Sequence, residues 1–324
     1  MTDAMADAMA DAMADAMADA MADTVSAETV SADTVTREAD RAAEAAAAAA
    51  GVQVRELTGL ADFQAACDLF DKVWQPDPAN RPVTVELMRA LTKAGSYAAG
   101  AYRGELLVGA SVAFFGPPAE RTLHSHVTGV HHAAPGTGCA IKLHQRAWAL
   151  HRDVTEIAWT YDPLIRRNAY FNLVKLGARP AEYLLNFYGG MHDAINGDGE
   201  TDRLLVRWDL RSQDVADACA QAFSPASAAA ERARGAATTL SVAADGGPAV
   251  QTLSPAPLSP AGRVLLVAVP SDTERLRVTD PALASAWRVA LRDALAPAMA
   301  AGARITGFDR TGWYVLAIAE EDGE

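Results

Sequence analysis

Cysteine is scarce in this chain: three in 324 residues, at Cys67, Cys139 and Cys219. An odd number so widely spaced fits neither a disulfide framework nor a zinc-ligand pattern, and it predicts a reduced, cytoplasmic setting. No apolar stretch reaches the roughly 18 residues of a membrane span before a charge interrupts it. No basic residue precedes Arg37, which argues against a secretory leader of ordinary design. Positive charge is also in short supply. The formal net charge is −13, of which residues 1–50 carry −9 and the rest only −4. That balance leaves no electrostatic footprint for DNA or RNA, so neither nucleic acid nor membrane is expected as a partner.

What is present falls into four stretches. Residues 1–50 open with a Met-Ala-Asp-Ala repeat, pass through a pentapeptide repeat and end in the alanine run Ala42 to Ala50. A period of four drifts about 40° per repeat on a helix, so the methionines form no single seam. A low-complexity tail, disordered or fraying, is expected, with a helical turn or two before Gly51. Residues 51–211 carry the patterns of a folded domain. Val52 to Leu57 alternates as a strand, and Leu60 to Val73 and Thr84 to Leu91 have helical spacing. Tyr97 to Arg103 and Glu105 to Phe115 read as a hairpin turning at Gly104. Leu184 to Tyr188 and Asp202 to Leu210 are candidate strands. Residues 212–261, rich in Ala, Ser, Gly and Pro, read as a linker with one short helix. Residues 262–320 read as strand, helix, strand, strand, a unit too small to stand alone and so expected to pack on the preceding domain, extending its sheet or covering a face.

The stretch from Leu123 to Ala178 organises the rest. Leu123 to Val130 alternates as a strand, and a glycine-bearing loop, His131 to Gly138, leads into a helix from about Cys139 to His151. Val154 to Tyr161 reads as the next strand, closed by Asp162-Pro163, and a helix from Arg166 to Leu176 ends at Gly177. Gly136 and Gly138 let main chain approach a ligand, and the amides that open the following helix lack internal partners. Together with the helix dipole they suit a phosphate or pyrophosphate.

The segment Ala133-Ala134-Pro135-Gly136-Thr137-Gly138 and the helix Asn168 to Ala178, ending Lys175-Leu176-Gly177, resemble the acyl-CoA-binding core of the GNAT superfamily of N-acyltransferases. The resemblance spans about Val52 to Leu210. It departs from the family pattern at Ala133, where an Arg or Gln is usual, and at Leu173, where many members carry a tyrosine. It implies an α/β (α+β) fold: a mixed, mainly antiparallel, GNAT-like central sheet flanked by helices, here with the strand-helix-strand-strand extension. It also implies an acyl-CoA-dependent N-acyltransferase, acetyl-CoA being the first candidate co-substrate, acting on a small-molecule amine. The alternative is a GNAT-like binding or regulatory protein whose CoA site has decayed. A homodimer stays open.

Under that resemblance, Val130, Pro135, Gly136, Thr137, Gly138, Cys139, Ala140 and Asn168 would hold acyl-CoA, with Arg166 and Arg167 near its phosphates. For the chemistry, His126 is a candidate base because a neutral imidazole is poised near pH 7. Asp162, at a strand's carboxyl end, is a second candidate base, and Tyr161 and Tyr170 are candidate proton donors in place of Leu173. His124, His126, His131 and His132 lie within nine residues, yet no third ligand with persuasive spacing follows, so no metal is expected. The polar loop from Gly189 to Gly199 adds Asn186, Tyr188, Asp193 and Asn196 as candidate substrate contacts.

Overall fold

The computed structural model describes residues 32–76, 80–190, 199–222, 224–251 and 264–318. The Met-Ala-Asp-Ala repeat, Asp193 and Asn196 lie outside these residues.

The alanine run is the end of a longer helix than the sequence suggests: α1 covers residues 32–50, and Gly51, at φ +63°, closes it in the left-handed conformation that favours glycine. Its small side chains let it lie close to the domain. Ala39 and Ala43 are buried, and Val35, Ala42 and Ala46 pack beside them at helical spacing.

The main sheet follows in the order expected: β1 (Gln53–Glu56), α2 (Leu60–Trp74), α3 (Val85–Lys93), β2 (Ala98–Arg103), β3 (Leu106–Phe115), β4 (Thr122–Val130), α4 (Thr137–Leu150), β5 (Glu156–Tyr161) and α5 (Arg166–Tyr170), which runs on as a wider π turn over Phe171–Lys175. The strand sought at Leu184 to Tyr188 lies earlier, as β6 (Arg179–Leu184), and β7 (Arg203–Asp209) stands where the pattern put it. The seven strands run β1-β2-β3-β4-β5-β7-β6, antiparallel except for β4 beside β5. This is a mixed, mainly antiparallel sheet flanked by helices, as expected.

Two details of β4 shape the site. Ala113 pairs with Ser125 and Val112 with Val127, so His126 is an extra residue, a bulge. The parallel pairing with β5 covers only Thr122↔Glu156, Leu123↔Ile157 and His124↔Ala158. Beyond the bulge the two strands part, because a bulge bends its strand and strengthens its twist. One face of the sheet packs Leu123, Ile157 and Trp159 with Leu143 and Trp148 of α4; the other packs Val112 and Val127 against Phe63 and Phe70 of α2 and Met88 of α3.

Over its described residues, up to 251, the stretch expected as a linker over 212–261 carries regular structure. After α6 (Gln213–Cys219) and α7 (Ala228–Ala233) come β8 (Ala237–Val242) and β9 (Pro248–Val250). These join β10 (Val264–Ala268), β11 (Arg304–Asp309) and β12 (Trp313–Ala317) in a separate five-stranded sheet of order β11-β12-β10-β8-β9. Helices α8 (Thr273–Thr279) and α9 (Pro281–Ala300) complete it. The expected strand-helix-strand-strand unit is therefore part of a second sheet rather than a continuation of the first. Trp287 of α9 is its largest fully buried side chain, and its indole N–H donates to the Gly246 carbonyl at 3.0 Å. Among the described residues no helix is long and apolar enough to cross a membrane.

Candidate ligand cavity at the start of α4

A cavity of about 1180 Å³ opens beside the first turn of α4. Its inner wall is Val130, Gly136, Gly138, Cys139, Leu143 and Arg146; Phe171 and Lys175 follow α5, and Ala216 to Gln221 come from α6 and the turn after it. The outer wall is α1, through Glu38, Arg41, Ala42, Ala45, Ala46, Ala49 and Ala50. Ligand pockets commonly run about 300–1,000 Å³, so the space suits a large ligand.

The mouth is shaped by Gly136, the N-cap of α4, at φ +80°. A Cβ there would meet the Ala50 Cβ at 3.3 Å. No side chain caps α4. Thr137 N–H reaches the Ala134 carbonyl and Ala140 N–H the Gly136 carbonyl, but among the described residues no acceptor meets the N–H of Gly138 or Cys139. Both residues line the cavity. Two orphan donors at the positive end of a helix dipole can act as a cradle for an anion.

Of the residues expected to hold acyl-CoA, Val130, Gly136, Gly138 and Cys139 border this cavity. Thr137 and Ala140 do not: both are fully buried, packing inward. Pro135 is exposed, and Asn168 lies away from the cavity wall. The arginines of α5 are spent on the C-terminal unit instead of phosphates. Arg167 pairs with Glu274, one contact at 2.7 Å, and Arg166 reaches the Val269 carbonyl at 3.4 Å. Sequence reasoning missed Arg41, Arg146, Lys175 and the whole α1 wall. The only local signal was a pair of charges, Glu38 and Arg41, opening an alanine run. Burial raises the Cys139 thiol and pushes Cys219 up to about 11, so neither cavity cysteine is a thiolate at neutral pH.

The candidate acid and base residues are dispersed. His126 sits at the β4 bulge, its Nε2 2.8 Å from the Pro82 carbonyl. A carbonyl only accepts, so Nε2 carries the proton and Nδ1 is the basic atom. His124 lies beside it, both rings against Phe114, and burial lowers the His124 pKa. Among the described residues no group of His, Cys, Asp and Glu has the makings of a metal site.

Asp162 does not reach the crevice as a base would. Its carboxylate is buried, takes Arg288 at 2.8 and 2.7 Å, contacts Arg277 and lies 3.9 Å from Arg203. Burial alone would raise its pKa; Arg288, then Arg277 and Arg203, instead hold it far below the carboxylate range. A carboxylate so held accepts no proton at neutral pH. Tyr161 is likewise removed from proton donation to a thiolate. Its hydroxyl lies 3.3 Å from that of Tyr314, which donates to the Pro163 carbonyl, and burial drives its pKa upward. Tyr170 is half-buried with Arg310 over its ring, and Leu173 is core. Asn186 and Tyr188 hold their own loop in place, through the Thr201 N–H at 3.0 Å and Thr160 at 3.0 Å.

Behind the point where β4 and β5 part lies Lys142, a buried cation that sequence reading passed over. Its Nζ bonds Ser125 Oγ at 3.1 Å and Gln145 Oε1 at 2.8 Å and sits 3.7 Å over the Trp159 ring, with no carboxylate partner among the described residues. Burial lowers its pKa well below the lysine value. The unfolded chain therefore holds this proton more tightly, and stability rises with pH between the folded value and the unfolded value of about 10.4. Calorimetry from pH 7 to pH 10 should show the wild type gaining stability relative to Lys142→Met; parallel curves would refute this.

No family model matches the chain, and no curated protein matches it. Solved structures are similar to it over 49% of its length. One is a protein from Desulfovibrio desulfuricans assigned as a GNAT-family acetyltransferase, 14% identical, with 99% of its own chain covered and a TM-score of 0.41. Another is an N-acetyltransferase from Staphylococcus aureus, 17% identical over 98% of its chain at 0.39. A third is a GNAT-family acetyltransferase from Elizabethkingia anophelis with acetyl-CoA bound, 17% identical over 98% of its chain at 0.39.

Proposed function

We propose that the chain is an acyl-CoA-dependent N-acyltransferase that passes an acetyl or similar group directly to a small, amino-acid-like amine. The observation that carries this reading is the pair of orphan amides, Gly138 and Cys139, at the start of α4, facing a large cavity beside parting strands. Acyl-CoA would supply a diphosphate for that cradle and an activated thioester. Gly136, Gly138 and Cys139 hold the diphosphate by main chain, and Arg41, Arg146 and Lys175 border the same space with positive charge. The parted edge of β4 offers backbone donors toward a developing oxyanion. His126, at the bulge, takes the proton of the attacking amine on Nδ1 while Pro82 fixes its tautomer. With Leu173 in the core, no side chain at that position reprotonates the departing thiolate.

Isothermal calorimetry with acetyl-CoA and longer acyl-CoAs tests the reading. Saturable binding and a raised melting temperature are expected, since a ligand of the native state alone stabilises it. No binding by any acyl-CoA would overturn it and leave a GNAT-like binding module. His126→Ala should lower the transfer rate by about 100-fold or more while acyl-CoA affinity stays unchanged; equal turnover would remove His126 as the base.

A further inference from the structure

A second cavity, of about 710 Å³, lies at the opposite end of α4, between that helix's last turn, α3 and the start of α2. One α-helical residue adds about 1.5 Å, so the length of α4 sets this space roughly 20 Å from the Gly136 cradle. Its floor is apolar: Leu57 and Phe63 are buried, and Leu60 stands 53% exposed at the edge. Its polar wall is cationic, with Arg89, Lys93 and Arg152 against a single acid, Glu56.

Three features of that wall are unfinished. Arg89 and Lys93 are four apart on one face of α3, a like-charge spacing that costs the helix stability. Among the described residues neither has an ion-pair partner, and Arg152 reaches Glu56 only at 3.8 Å. Arg152 lies over the Trp148 ring, 3.9 Å from its centroid, and donates to the Trp148 carbonyl at 3.2 Å. Trp148 itself lines the cavity, is 6% exposed, and its indole N–H has no hydrogen-bond partner among the described residues. A buried donor left unpaired is costly and calls for an acceptor, from water or from a ligand.

We propose that this cavity is a second ligand site that takes a small amphipathic anion. Its charged head lies among Arg89, Lys93 and Arg152, beside the Trp148 ring, and its apolar body covers Leu57, Leu60 and Phe63. The site does not depend on the acyl-transfer reading. Its parts come from β1, α2, α3 and the far end of α4, and it shares no residue with the cradle.

The experiment follows the six indole N–H signals of the full-length chain in ¹⁵N–¹H spectra, with Trp148 assigned through Trp148→Phe. Octanoate and octyl phosphate, which separate a carboxylate head from a phosphate head, are titrated beside octylamine and acetate. The Trp148 signal should move saturably with at least one octyl anion, and weakly or not at all with octylamine or acetate. Arg89→Glu with Lys93→Glu, both at exposed positions, should weaken that binding by about tenfold or more, as expected for losing charge-assisted contacts. Octylamine binding as well as the anions, a Trp148 signal that stays still, or an unchanged affinity in the double variant would each overturn the proposal. Should Trp148→Phe not fold, calorimetric titration of the octyl anions into the wild type and the double variant decides between the same outcomes.

Discussion

Gly136→Asp should abolish acetyl-CoA binding while leaving a folded protein. Three effects converge at this position. Its φ of +80° lies where an L-residue is strained by about 1–2 kcal/mol. A Cβ there meets the Ala50 Cβ at 3.3 Å, so α1 must give by a few tenths of an ångström. Most important, Gly136 is the N-cap of α4, the position from which an aspartate accepts N–H bonds of the first turn. The new carboxylate would occupy the donors that a diphosphate needs and repel it as well. Capping offsets part of the strain, so the melting temperature should fall only modestly as calorimetric binding disappears. Gly138→Ala is the control: its Cβ would meet only Val130 Cγ2 at an ordinary 3.7 Å, and binding should survive, weakened. Retained affinity in Gly136→Asp would mean that phosphate does not bind here.

Asp162→Asn should produce a large loss of stability. The substitution keeps the shape of the side chain and an acceptor for the Leu164 N–H, which now bonds Oδ1 at 2.9 Å. It removes the negative charge around which Arg288, Arg277 and Arg203 are gathered. Breaking a buried ion pair from one side costs about 3–5 kcal/mol, because the remaining charges stay desolvated and unanswered. At roughly 2–4 °C per kcal/mol in a protein of this size class, the melting temperature should fall on the order of 10 °C. The pH dependence gives an internal check. The folded carboxyl ionises far below its unfolded value of about 3.9, so its contribution is complete above that pH and drains away as pH falls toward the folded value. The gap between wild type and Asp162→Asn should therefore be constant near neutrality and narrow below about pH 4. A constant gap through that range would show that the carboxylate is not held by the arginines.

Where elements bury one face with regular spacing, their order was readable from sequence. The strands and helices from β1 to β5 come from alternation and helical periodicity, and the glycines ahead of α4 mark the turn into that helix. Reading failed where burial uses few or small side chains. In β8 only Leu240 is buried, and β9 is three residues long, so a composition of Ala, Ser, Gly and Pro looked like linker. Asp162 looked like a crevice carboxylate because it ends a strand before a proline. Its arginine partners, Arg203, Arg277 and Arg288, lie 41, 115 and 126 residues away and leave no local trace. Trp148 and Lys142 read as ordinary helix residues for the same reason: an indole without an acceptor and an ammonium without a counter-ion among the described residues are facts about neighbours.

The alanines of α1 have a consequence for how this chain can vary. Because Ala45, Ala46 and Ala49 wall the large cavity, what that stretch must conserve is smallness rather than identity. Serine or glycine should be tolerated there at a modest cost in helix propensity, whereas drift to leucine or methionine would fill the space a ligand needs. The same dependence sets a limit on shortening. A chain begun at Val52 would lose the α1 wall of the cavity and, with it, the buried side chains Ala39 and Ala43.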